Sequence, residues 1–183
     1  MISHKQEFYK QIQRVDPYRF ARESLQLVGT IPLANLSRLA PLLEAATGEV
    51  AVTLSFSQDA GGRYLINLQA QAKLTLRCER CLSPNALLIS SEVLLTPVNS
   101  ESEEADLPEA YESVPVEEGE ANLLEAVEDE LLLSIPIVVM HEDINECLQY
   151  GYRNSALAPE EQAVKIEEPA NPFKLLKDAV PKD

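Results

Sequence analysis

The 183-residue chain has no tryptophan, and aromatic residues make up only 5% of it. Stacking platforms for single-stranded nucleic acid are therefore scarce. No apolar run approaches the roughly 18–20 residues that a membrane-crossing helix requires. The opening Met-Ile-Ser-His-Lys-Gln-Glu has no apolar stretch of signal-peptide type. Cysteines number three, an odd count that argues against a disulfide framework and for the reducing cytoplasm. There is no Gly-rich phosphate loop, no Gly-x-Ser-x-Gly and no His-Glu-x-x-His. Of the two histidines, His4 lies in a fraying terminus, and His141 is a general base with no active site to serve. No catalytic residue is assigned, and no enzyme and no small-molecule substrate are expected.

Positive charge is missing from a long internal stretch. Residues 81–152 contain no Lys or Arg and 17 acidic side chains, whereas residues 1–80 carry 10 basic and 7 acidic ones. The net charge of −15 is thus concentrated in one region. Such a region repels phosphate backbones and suits a basic protein, of which ribosomal proteins are the most abundant kind. The plainer reading is a solvated face that keeps the chain soluble. Lys5, Lys10, Arg14, Arg19 and Arg22 form a basic N-terminal segment that could touch RNA at a few phosphates or simply face solvent.

A chain of this length with 45% hydrophobic residues can bury an adequate core without metal or disulfide. Asp16-Pro17 starts a short helix running to about Ser24, and Leu25–Gly29 reads as a strand and turn. Leu36, Leu39, Leu42 and Leu43 recur at helical spacing, with Pro41 dividing the helix into two short pieces. Val50, Val52, Leu54 and Phe56 alternate with small or polar residues, and Asp59–Arg63 makes a turn. Every even position from Tyr64 to Cys78 is then apolar or small, the period of a sheet with one buried face. A bend or bulge is expected near Ala70–Ala72 because the run exceeds ordinary strand length. Another strand spans Leu87–Leu95, closed by Pro97. Residues 99–121 read as an exposed acidic loop. Asn122 caps a helix with Glu125 in a variant of the capping box, and Leu124, Val127 and Leu131 form its buried stripe. Glu128, Asp129 and Glu130 diverge around that helix. Ile135–Val139 is a buried strand or extended segment leading to His141. Residues 153–183 form a largely flexible tail in which Asn171-Pro172-Phe173 begins a short helical turn. The fold class is α+β: residues 1–152 form one domain with a curved antiparallel sheet, able to close partly into a barrel, and short flanking helices.

Cys78-Glu79-Arg80-Cys81 has the spacing at which two thiolates reach one zinc ion. His141 and Cys147 are the residues able to complete a site of three thiolates and one imidazole. A redox pair is a rival reading, but such pairs start a helix, whereas this one follows a strand and enters a hairpin. The third reading is a core-facing Cys78 beside a reduced turn thiol.

Five motifs in order carry a resemblance. They are Leu-Arg-Cys-Glu-Arg-Cys-Leu (76–82), Leu-Pro-Glu-Ala-Tyr-Glu (107–112), Leu-Leu-Glu-Ala-Val-Glu-Asp-Glu (123–130), Leu-Ser-Ile-Pro-Ile-Val (133–138) before His141, and Asn-Pro-Phe (171–173). Together they resemble the YceD family, the large ribosomal RNA subunit accumulation proteins of bacteria, with relatives in plastids. The resemblance implies a non-enzymatic factor for synthesis, processing or stability of 23S ribosomal RNA. Joined to the charge distribution, it points to an acidic adaptor that presents residues 99–130 to a large-subunit ribosomal protein or an rRNA-processing factor. The alternative is a zinc- or thiol-based sensing module using Cys78 and Cys81, acting on RNA indirectly. Some relatives carry a second cysteine-rich segment where this chain has only His141 and Cys147.

Overall fold

A computed structural model describes residues 4–153, with side chains from Phe8 onward. Six strands form a mixed sheet in the order of the chain, curled into a half-barrel. They are β1 (Gln26–Pro32), β2 (Glu49–Gln58), β3 (Tyr64–Arg77), β4 (Pro84–Val98), β5 (Glu112–Glu117) and β6 (Glu120–Ala121). The helices are α1 (His4–Gln11), α2 (Pro17–Arg22), α3 (Glu101–Ala105), α4 (Leu123–Leu133) and α5 (Ile144–Gln149).

Alternation of side chains places the core. Val50, Val52, Leu54 and Phe56 of β2 and Ile66, Leu68, Ala70, Ala72, Leu74 and Leu76 of β3 are buried on one face. Val127 and Leu131 of α4 join the same core. β2 and β3 pair without interruption from Val50↔Ala72 to Gln58↔Tyr64, so of the bend or bulge expected near Ala70–Ala72 the bulge is excluded. Small alanines at those inward positions leave room for a curled strand to stay paired. Asp59 Oδ1 closes the intervening turn by accepting the amide protons of Gly61 and Arg63, each at 2.8 Å. Asp16 caps α2 as expected, accepting from Arg19 N–H at 2.9 Å with Pro17 in the first turn.

Several expectations are corrected. The leucine-rich stretch after β1 forms 3₁₀ turns at Leu33–Asn35 and Ala40–Leu42 rather than α-helical pieces. Leu36 and Leu39 are buried between the turns, while Leu42 is exposed. Pro97 does not close β4. It lies beyond the last β3 partner, Leu95, and pairs with Val114 of β5. Residues 99–121, expected to be a loop, contain α3, β5 and β6. β5 runs parallel to β4, a pairing that needs a long return connection, and residues 99–111 supply it. The sheet is therefore mixed where a wholly antiparallel one was expected. Asn122 makes no side-chain cap to α4; its amide donates instead to the Glu125 carboxylate at 2.8 Å. Ile135–Val139 forms no strand: Ile137 and Val138 are exposed and only Val139 is buried. Pro136 has no N–H to offer a ladder. The Asn171-Pro172-Phe173 turn lies outside the described residues.

Candidate metal centre and acidic cleft

The loop between β3 and β4 is short and tightly bonded. Cys78 N–H donates to the Ser83 carbonyl at 2.9 Å, and Leu82 N–H returns to the Cys78 carbonyl at 2.8 Å. Leu82 takes a left-handed conformation, φ 60°, which lets the chain reverse within Cys78–Ser83. Both cysteines of the Cys-x-x-Cys consequently face the same side. The second half of the site arrives after α4. Glu79 N–H holds the Val139 carbonyl at 2.8 Å, which sets His141 beside the loop, and α5 carries Cys147.

The four side chains expected from the sequence meet. The Sγ atoms of Cys78 and Cys147 are 3.9 Å apart, and His141 Nδ1 stands 3.5 Å from the Sγ of both Cys81 and Cys147. All four donor atoms lie within 4.8 Å of one another. A tetrahedral zinc with bonds of about 2.3 Å to sulfur and 2.0–2.1 Å to nitrogen separates its ligands by about 3.8 Å (S···S) and 3.5 Å (S···N). The three distances of 3.5–3.9 Å match these values, and the whole set, within 4.8 Å, is compact enough to close on one ion. His141 Nε2 is 3.2 Å from the Pro84 carbonyl, an acceptor that fixes its proton there and leaves the Nδ1 lone pair for a metal. Tyr150 stacks on the imidazole at 5.8 Å between centroids. Arg80 lies 3.7 Å from Cys147 Sγ and 3.6 Å from Met140 Sδ.

Burial raises the Cys78 thiol, but amide protons from Cys81, His141 and Arg80 outweigh it and pull the pKa to about 6. Cys147 is pushed up to about 11 by burial and by the neighbouring Cys81 and Cys78, with Arg80 acting in the opposite sense. The hairpin context gives no helix start to the Cys-x-x-Cys, against the redox reading.

A second feature was only partly visible in the sequence. β5, β6 and α4 enclose a cleft of about 700 Å³. Glu112, Glu117, Glu118 and Glu120 line it from the strands, and Glu125, Asp129 and Glu130 from the helix. Among the described residues, Arg14 is the one cation on its wall, and it is paired with Glu120. Glu130 is buried and accepts the Ser91 hydroxyl at 2.6 Å. Burial, then the charge and hydrogen bond of Glu130, raise the pKa of Glu112 above its ordinary range. Glu128 lies outside the cleft lining, buried against Arg38, and Asp129, which is in the lining, also engages Arg38. Val114 and Val116 alternate beneath the acids of β5 and were the available signal for that strand.

A family model described as "Large ribosomal RNA subunit accumulation protein YceD" matches residues 66–178. The chain is also 34% identical over 163 residues to the large ribosomal RNA subunit accumulation protein YceD of Haemophilus influenzae, covering 88% of this chain and 91% of that one. The chain belongs to the YceD family. No solved structure matches it. The YceD match begins within β3, so it includes the Cys-x-x-Cys, the seven carboxylates of the cleft, His141 and Cys147. Among the described residues, no helix is long and apolar enough to cross a membrane.

Proposed function

We propose that this YceD-family chain is a non-catalytic factor supporting 23S ribosomal RNA in large-subunit biogenesis, and that it acts as an acidic adaptor for a basic protein. The family supplies the process. The observation that carries the adaptor reading is the cleft between β5–β6 and α4, lined by seven carboxylates against one already paired arginine. Its field attracts lysine and arginine side chains and repels an RNA backbone. Leu133, an exposed apolar residue of the cleft lining, would add hydrophobic contact to the charge for a docked segment. The partner is a large-subunit ribosomal protein or an rRNA-processing factor, and any direct RNA contact is secondary.

The cofactor in this reading is one zinc ion on Cys78, Cys81, His141 and Cys147. Four protein donors at tetrahedral spacing leave no open position, which favours a structural ion over a catalytic one. The same closure supports the adaptor over a thiol sensor.

Co-sedimentation with large-subunit precursor particles tests the adaptor. Association should weaken as salt rises, because exposed charges are screened, and should weaken further in an E117Q/E118Q/E125Q variant. Binding that is equal for the variant and insensitive to salt would refute a docking role for the cleft.

A further inference from the structure

We infer that metal, rather than apolar packing, holds residues 136–151 against the β3–β4 hairpin. The inference rests on the zinc reading and goes beyond it by assigning the ion a mechanical role.

The argument starts from what this segment buries. Among residues 136–151 the buried side chains are Val139, His141 and Cys147. Two of those three are candidate ligands. Of the segment's other large apolar residues, Ile144 is half-buried, and Ile137, Val138, Met140, Leu148 and Tyr150 are exposed. α5 has six residues and buries only Cys147, so it has neither the length nor an apolar stripe to hold itself in place. No strand pairing reaches it. The segment meets the hairpin through Glu79 N–H to the Val139 carbonyl, His141 to the Pro84 carbonyl, the His141 amide on the Cys78 sulfur, and long contacts of Arg80 to Met140 and Cys147. One buried valine, a half-buried isoleucine and these few polar contacts are little to set against the conformational entropy of ordering sixteen residues.

Four coordinate bonds change that balance. Two ligands come from the hairpin loop and two from the segment, so a single ion ties them together at tetrahedral spacing. The charge is also provided for. Three thiolates, a neutral imidazole and a divalent ion leave one negative charge, and Arg80 lies beside Cys147 with its guanidinium at 3.7 Å. Metal binding here is local folding, as in small domains whose core is the ion.

The test uses the full chain, purified reduced and without a metal-binding tag. Metal analysis should give about one zinc per chain. Stripping the zinc with a chelator should speed amide hydrogen exchange in 136–151 and 78–83 by about tenfold or more, while β2 and the middle of β3 stay protected. Cobalt(II) should restore protection and show the absorption of a tetrahedral thiolate site. A V139A variant loaded with zinc should keep the segment protected. If one zinc is present yet stripping leaves exchange in 136–151 unchanged, the ion does not hold the segment and this inference fails while the zinc reading stands. Loss of protection in zinc-loaded V139A equal to that on stripping would likewise assign the holding to packing. If no zinc is retained and all three thiols react in the native chain, the zinc reading itself fails.

Discussion

Glu128 of α4 accepts the backbone N–H of Arg38 at 2.7 Å and of Leu39 at 3.0 Å, and it also accepts the Arg38 guanidinium at 3.2 Å. The acid is buried, and the amides belong to the irregular stretch between two 3₁₀ turns. One carboxylate thus satisfies donors that no ladder reaches. Replacing it leaves those amides without a partner. E128A should therefore lose about 3 kcal/mol of stability. D129A, whose side chain is half exposed, should lose less than about 1 kcal/mol. Urea titration of both variants checks the contrast.

Phe8 of α1 lies directly on Gly29 of β1. A Cβ added at Gly29 would stand 2.3 Å from Phe8 Cγ. G29A should dislodge α1 from the sheet at a cost of about 1–3 kcal/mol, the usual range for overpacking. A paired F8L change should recover part of that loss, as a smaller side chain gives way. Thermal unfolding of the single and double variants decides.

Leu82 closes the Cys78–Ser83 loop with φ at 60°. A β-branched residue tolerates that conformation poorly, so L82V should destabilise the loop by about 1–2 kcal/mol. L82G should be neutral or better, since Leu82 is exposed and contributes little packing. Metal retention against a competing chelator reads out the difference, with L82V losing the ion first.

Glu112 provides the pH-dependent case. Its pKa is raised in the folded chain by burial and by Glu130. The folded state therefore holds a proton that the unfolded state has released, and stability is lost as pH rises through the raised value. E112Q removes that loss. The variant should match the parent near pH 4 and exceed it near neutrality, by no more than about 0.5 kcal/mol because the side chain is largely exposed. Urea unfolding at the two pH values should show the gap only at the higher one.

The parts legible in the sequence are those whose pattern is local. β2 and β3 announce themselves because each alternate side chain must enter one core, so period two runs from Val50 to Phe56 and from Ile66 to Leu76. The metal quartet is legible for another reason: with three cysteines and two histidines, few combinations exist. β5 is different. Val114 and Val116 carry its alternation, but acids surround them, and the partner strand is parallel and separated by a helix-bearing connection. Nothing local signals such a pairing. The apolar run Ile135–Val139 misleads in the opposite direction: it has strand composition, yet most of it is exposed while it delivers His141 to the hairpin. The divergence of Glu128, Asp129 and Glu130 follows from helix geometry, but the burial of Glu128 has no local signal, because its partners at Arg38 and Leu39 are about ninety residues away.

The measurement that tests the central claim most directly is the ratio of 23S to 16S ribosomal RNA in source cells lacking this gene. The account predicts a selective fall in 23S, restored by the intact gene and restored poorly by the E117Q/E118Q/E125Q gene made at equal protein level. An unchanged ratio would contradict the role in large-subunit RNA. Full restoration by the variant would contradict the acidic cleft as the working surface.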